Sequence, residues 1–346
     1  MNHWGITKRF IRYRFTGVLL LLSTIACDDA TIPQKHTIYI AGVSQPQGLP
    51  ESRAVYWKNG EIVSVGKGPK NSGLNSIFVD GKNTYVAGWE SNVVFPDDFL
   101  NYRHVAKFWK NGVAISLGDE NFNSEATSIF VEGENVYVCG FEDARACYWK
   151  NGIRIPLTLN TRVSTVTEVV VKSGDVYLVG SEQNPTIQTA TYWKNGMPIS
   201  LTDGTRFSDA FSIALDDEGN VHVVGVAFNG SEIVGKYWRN GSEVPIADGR
   251  KTRFNSIKLD QGNVYILGVL DDKVAVWKNE QLQFLESGVT APSMLFISDQ
   301  SVFTCGTEFL NNDPLLFTYV GWKNNSKLPF GQQFNSRAAA IFVTEQ

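Results

Sequence analysis

The sequence predicts an all-β chain folded as a seven-bladed β-propeller of four-stranded blades. Three observations predict it. A five-residue motif recurs seven times, each repeat carries four strand signals, and the two ends of the chain hold complementary parts of one repeat. The 346 residues are 43% hydrophobic and only 19% charged. Such a chain can bury a core, which excludes wholesale disorder.

The motif is aromatic-Trp-Lys-Asn-Gly. It reads Tyr56-Trp57-Lys58-Asn59-Gly60, and returns around Trp109, Trp149 and Trp193. The copy at Trp238 has Arg239 for Lys, and those at Trp277 and Trp322 lose the glycine. The spacing of roughly 40 to 50 residues is that of a propeller blade.

Four strands per copy follow from local patterns. Strand A is short and apolar, as in Ser76-Ile77-Phe78-Val79 or Ser128-Ile129-Phe130-Val131. A tight polar turn such as Asp80-Gly81-Lys82-Asn83 leads into strand B, as in Tyr85-Val86-Ala87-Gly88. Strand C ends in the Trp motif, and Asn-Gly is the preferred two-residue hairpin turn into strand D. Pro156, Pro198, Pro245 and Pro329 all fall in D. Proline lacks an N–H and belongs on edges, so D is the outer strand and A the inner one. Strands A and B are expected to be free of proline.

The first strand signal, Thr37 to Gly42, is a B strand, and the last, Ala338 to Val343, is a lone A strand. Pairing the two removes two naked edges, so the C-terminal strand is expected to close the ring on the N-terminal strands. Alternation along strand C sends Tyr and Trp to opposite faces, so each can bury against a different neighbouring blade. Trp57, Trp109, Trp149, Trp193, Trp238, Trp277 and Trp322 are thus the expected repeat core. The A–turn–B hairpin resembles NHL-type propeller repeats. The Tyr-Trp pair resembles the YWTD repeat, which has Thr-Asp where this chain has Lys-Asn. Both resemblances imply architecture alone, over residues 37–346.

Residues 1–26 carry Lys8, Arg9, Arg12 and Arg14 ahead of the apolar run Val18 to Leu22, with Ala26 preceding Cys27. This is the pattern of an export signal. It resembles the lipobox of bacterial lipoproteins, with Thr24 where Leu is usual. The resemblance implies that Cys27 is acylated, that residues 27–36 are a tether, and that the membrane is reached through the N-terminal lipid only. Asp28 and Asp29 fit either retention at the inner membrane or, as in lipoproteins of Bacteroidota type, the outer membrane or cell surface, which is the expectation favoured here. Removing residues 1–26 takes the formal net charge from -4 to about -8, which argues against nucleic acid as a partner.

Catalytic motifs are missing from the sequence, and no cofactor is expected. Four His and four Cys, none at ligand spacing, give no metal site to expect. Cys139 and Cys147 lie in neighbouring strands and read either as core thiols or as a disulfide. His222 takes the place of a strand-B tyrosine and is expected to pack. Glu168 stands where Ser begins strand A, near the axis, and reads as a solvated carboxylate before it reads as a channel ligand. The variable B–C loops are the expected binding face, above all the segment holding Trp89, Phe95, Asp97, Asp98, Phe99, Tyr102 and Arg103. Its aromatics suit a protein surface or a glycan, or simply anchor their own loop. The expected function is a non-enzymatic, monomeric binding or scaffold lipoprotein. The alternative is an enzyme acting on glycans through two of Asp97, Asp98, Asp119 and Glu168.

Overall fold

The computed structural model describes residues 36–45, 51–66, 69–93, 102–157, 163–184, 186–246, 251–285, 291–310, 313–330 and 335–345. Cys27 and residues 1–26, expected to be the export signal, lie outside them, as do Phe95, Asp97, Asp98 and Phe99.

Seven antiparallel four-stranded sheets form the blades of a β-propeller. In blade 2 the order is Ser72–Asp80, Asn83–Ser91, His104–Lys110, Val113–Ser116, from the axis outward, and the other blades repeat it. Blade 1 is closed by the end of the chain. Ser336–Glu345 is its inner strand and pairs antiparallel with His36–Ser44, from His36 opposite Glu345 to Ser44 opposite Ser336. Inner strands contact each other in sequence around the axis, and that of blade 7 (Ala291–Ser298) contacts that of blade 1.

The inner strands are longer than the apolar signal alone suggests. That of blade 2 starts at Ser72, because a bulge between Leu74 and Ser76 interrupts the alternation. Opposite the bulge stands Gly88, where an added Cβ would lie 1.9 Å from the Gly73 carbonyl oxygen. The same bulge recurs in the inner strands of the other blades for which pairing begins before it, for example between Val166 and Glu168. Two expectations about proline are corrected here: Pro245 and Pro329 lie just beyond the D strands Ser242–Glu243 and Ser326–Lys327, and strand A is not free of proline. Pro292 lies within the inner strand of blade 7, beside the bulge between Pro292 and Met294. An inner strand is hydrogen-bonded on one side only, which leaves room for a proline.

The seven tryptophans are all buried, none more than 4% exposed. Trp149 packs with Tyr85 and Phe108 of blade 2, while Tyr148 packs with Val166 and Val169 of blade 4. Adjacent side chains of one strand thus glue a blade to both neighbours, as alternation requires. The motif asparagine has two tasks. Asn151 adopts φ 51° in the C–D turn, and its Oδ1 accepts the Val136 N–H at the start of strand B.

A second contact between blades was not anticipated. In six of the seven blades the hydroxyl that opens the inner strand accepts a backbone N–H from strand C of the preceding blade; the inner strand of blade 7 opens with Ala291 instead. Ala54 N donates to Ser72 Oγ at 3.0 Å, Ala106 N to Ser124 Oγ at 2.9 Å, and Ala146 N to Ser164 Oγ at 2.8 Å. Ser208, Thr252 and Ser336 repeat the arrangement. Each satisfies a buried donor that strand pairing leaves over.

Cys139 and Cys147 are free thiols, which corrects the disulfide reading. Cys139 stands opposite Tyr148, and Cys147 opposite Gly140. The two side chains therefore leave the sheet on opposite faces, and each joins a different inter-blade core.

Candidate binding site

The inner strands wall the axis with successive rings of side chains. One ring is formed by Ser76, Ser128, Glu168, Ser212, Ser256, Met294 and Ala340, each at the position just after its bulge. The serines tie the ring together: Ser76 Oγ accepts from Ile129 N at 3.2 Å, and Ser212 Oγ from Ile257 N at 3.1 Å. Glu168 does the same and more. Its Oε2 accepts from Ile213 N at 3.0 Å and from Ser212 Oγ at 2.6 Å, and its Oε1 accepts from Lys258 Nζ at 2.6 Å. Glu168 is 8% exposed, so the reading of a solvated carboxylate is corrected. It is a buried anion held by three donors from blades 5 and 6. Burial without such partners would be costly.

Two residues further along each inner strand lies a wider ring. Phe296, Phe342, Phe78 and Phe130, from four consecutive blades, form an aromatic arc with centroid separations of 4.8 to 5.1 Å. The facing half of the ring is Val170, Ala214 and Lys258. Between the halves lies a cavity of about 420 Å³. Its wall includes Lys172 and Asp217 at the ends of inner strands, so it lies toward the A–B turns. Below it the channel narrows to a polar waist of about 110 Å³ lined by Asn75, Thr127, Thr167 and Asn255 among others.

The repeat also breaks beside this cavity. In six blades a strand-B aromatic ring lies directly opposite the motif lysine, whose ammonium sits 5.1 to 5.7 Å from the ring centroid, from Lys58 over Tyr39 to Lys323 over Phe303. In blade 5 the pair is His222 and Arg239. His222 is buried, with Nδ1 2.6 Å from the Tyr237 hydroxyl and Nε2 3.3 Å from Asp216 Oδ2. Arg239 turns to the same carboxylate, 3.4 Å away. Burial pulls the Asp216 carboxyl up, but Asn220 and His222 outweigh it and hold it at about 2. Burial pushes His222 below its ordinary value, against the pull of Asp216.

On the opposite face, Trp89 stacks on His104 with centroids 3.6 Å apart, and Tyr102 meets His104 edge-on at 5.7 Å. His104 Nδ1 reaches Glu125 Oε2 at 3.3 Å, and Arg103 N donates to Asn92 Oδ1 at 2.9 Å. These described members of the expected binding loop are half-buried at its root and engaged with one another. Asp119 is exposed on that face, accepting from Asn121, and no contact joins it to Glu168. Among the described residues, no group of three or more His, Cys, Asp or Glu could hold a metal ion.

No protein-family model matches the chain, and no curated protein matches it. Solved structures do. A prolyl endopeptidase structure aligns at 10% identity with a TM-score of 0.50, covering 89% of this chain and 51% of that one. The β-propeller domain of the trilobed protease from Pyrococcus furiosus aligns at 11% identity and a TM-score of 0.49, covering 86% and 94%. A nidogen/laminin complex aligns at 9% identity and 0.45, covering 89% and 98%. These distant neighbours include enzymes and protein-binding domains. At such identity they show the propeller fold alone.

Proposed function

We propose that the protein is a non-enzymatic binding module whose ligand enters the axial cavity, with an apolar body against the phenylalanine arc and an anionic group at Lys258. One observation carries this reading: departures from the repeat converge on that cavity. Glu168 replaces a serine, Lys258 replaces a ring residue that is Phe in four blades, and Lys172 and Asp217 complete the rim. A scaffold built for stability alone would keep the repeat's own residues, because burying an ion pair contributes little to stability. Glu168 already accepts three hydrogen bonds, which suits a fixed wall more than a proton donor in glycan cleavage. Lys258 Nζ makes one of the three bonds an ammonium can donate, so it keeps capacity for an anion. The loop face is the weaker candidate, since its described aromatics are taken up by His104.

The reading extends to location. Export through residues 1–26 and acylation at Cys27 would present the propeller at the cell envelope. Palmitate labelling of the wild type, lost in Cys27→Ala, supports the anchor; an unlabelled wild type refutes it.

The binding reading is tested with anilinonaphthalene sulfonate, an aromatic anion of suitable chemistry. The wild type should enhance its fluorescence saturably. The double variant Glu168→Ser, Lys258→Phe restores the repeat and should fold, yet weaken the dye by about tenfold or more. Equal dye binding by both proteins would overturn the reading.

A further inference from the structure

The axial cavity continues outward between blades 5 and 6. It shares Leu215, Asp217 and Leu259 with a cleft of about 370 Å³ under the A–B turns of those blades. That cleft shares Tyr237, Arg239 and Val264 with a further concavity of about 260 Å³ near the outer edge. The three concavities thus adjoin in order from the axis to the rim, across shared wall residues. The floor of this series is the altered pair of blade 5, His222 and Arg239, locked by Tyr237 and Asp216. Its outer end is widened by a D strand of only two residues, Ser242–Glu243, which leaves Val244 and Ile246 in the wall.

Charge is sorted along this series. At the inner end Lys258 and Glu168 neutralise one another, and Lys172, which donates to the Asp216 carbonyl oxygen, leaves one net positive charge. The outer stretch is acidic. Asp217 and Glu218 are exposed on the A–B turn of blade 5, and Asp260 faces them from blade 6 with its buried Oδ2 unpartnered. Glu280 lies further out. Arg239, the basic group here, is occupied by Asp216.

We propose that the occupant is the C-terminal end of an extended basic peptide. This rests on the axial cavity being the binding site. The last side chain, apolar or aromatic, packs on the arc of Phe296, Phe342, Phe78 and Phe130. The terminal carboxylate accepts from Lys258, and from Lys172 in the wall of the same cavity. The chain then runs outward over Tyr237 and His222, and lysines or arginines upstream lie against Asp217, Glu218 and Asp260. The reverse polarity would set an ammonium against two lysines. An acidic peptide would meet like charge along the outer stretch, where repulsion costs several-fold in affinity.

The test is fluorescence anisotropy with an octapeptide, Gly-Ser-Lys-Arg-Gly-Lys-Leu-Phe, dye-labelled at its N-terminus. It should bind the wild type, and its C-terminal amide should bind about tenfold more weakly. The variant Glu218→Lys, Glu280→Lys alters exposed residues that do not line the axial cavity. It should weaken the peptide by about tenfold and leave anilinonaphthalene sulfonate unaffected. A version with Glu at every Lys and Arg should not compete, and neither should laurate. Equal binding of acid and amide, competition by the acidic peptide, or displacement by laurate overturns the proposal. If the sulfonate binds and the peptide does not, the peptide fails while the cavity stands. If neither binds, both fail.

Discussion

Glu168 and Lys258 are ninety residues apart in sequence and 2.6 Å apart in space, joined across the intervening blade 5. Ser212, from that blade, donates to the same carboxylate. Three consecutive blades are thus pinned by one buried anion. Removing only the cation should be worse than removing both charges, because it leaves an unpaired carboxylate. Lys258→Met should destabilise by up to about 3 kcal/mol, while Glu168→Ser with Lys258→Phe should melt no lower than the wild type. Thermal denaturation of the two variants checks the order, and a reversed order contradicts it.

Trp149 is fully buried between blades 2 and 3. Trp149→Ala should cost about 3 to 5 kcal/mol. A melting temperature equal to that of the wild type would show that the motif tryptophan does not hold neighbouring blades together.

The hydroxyl contact between blades can be tested alone. Ser124→Ala leaves the Ala106 N–H buried without its acceptor, at a cost of about 1 to 3 kcal/mol. Ser124→Thr keeps an oxygen there and should recover part of the loss. Urea titration would reveal whether the two substitutions differ; identical midpoints would remove the contact from the account.

His222 sets an acid limit on stability. Its folded value lies below the ordinary one, so the folded state prefers the neutral ring. That contribution is complete above the unfolded value of about 6.5 and declines as the pH falls below it. Asp216, held at about 2, adds a second loss only below its unfolded value of about 3.9. Between pH 7 and 5 the wild type should therefore lose more stability than His222→Tyr with Arg239→Lys, which restores the repeat's pair. Parallel pH profiles for the two proteins would contradict this.

The thiols of Cys139 and Cys147 are pushed up to about 12 by burial. Thiolate is the reactive form, so both should resist a disulfide-exchange reagent in the native state and react on unfolding. Fast native-state labelling of either residue would mean that the blade opens.

Strand order, blade number and ring closure were legible in the sequence because they rest on local, repeated patterns. The motif tryptophans and the edge prolines are visible one copy at a time. The beginning of strand A was not, since the bulge beside Asn75 breaks the alternation that marks a strand. The same bulge hid Pro292 inside its strand. Glu168 and His222 each stand out as departures from their column, but no local pattern says that Glu168 meets Lys258 or that His222 meets Asp216. Comparing the copies column by column would have flagged Glu168, Lys258, His222 and Arg239 together. That Glu168 and Lys258 line one cavity, and His222 and Arg239 the cleft next to it, needed the ring. For Phe95, Asp97, Asp98 and Phe99 the loop reading stands as it did, since they lie outside the described residues.

The strand Ser336–Glu345 completes blade 1 only after the other described strands have left the ribosome. Until then the inner edge of His36–Ser44 has no partner, through the synthesis of six blades. A nascent chain that stalls before Ser336 would carry an open ladder able to accept the same strand from another copy. Strand exchange between molecules, or capture by a chaperone, is the fate this topology prepares for incomplete chains.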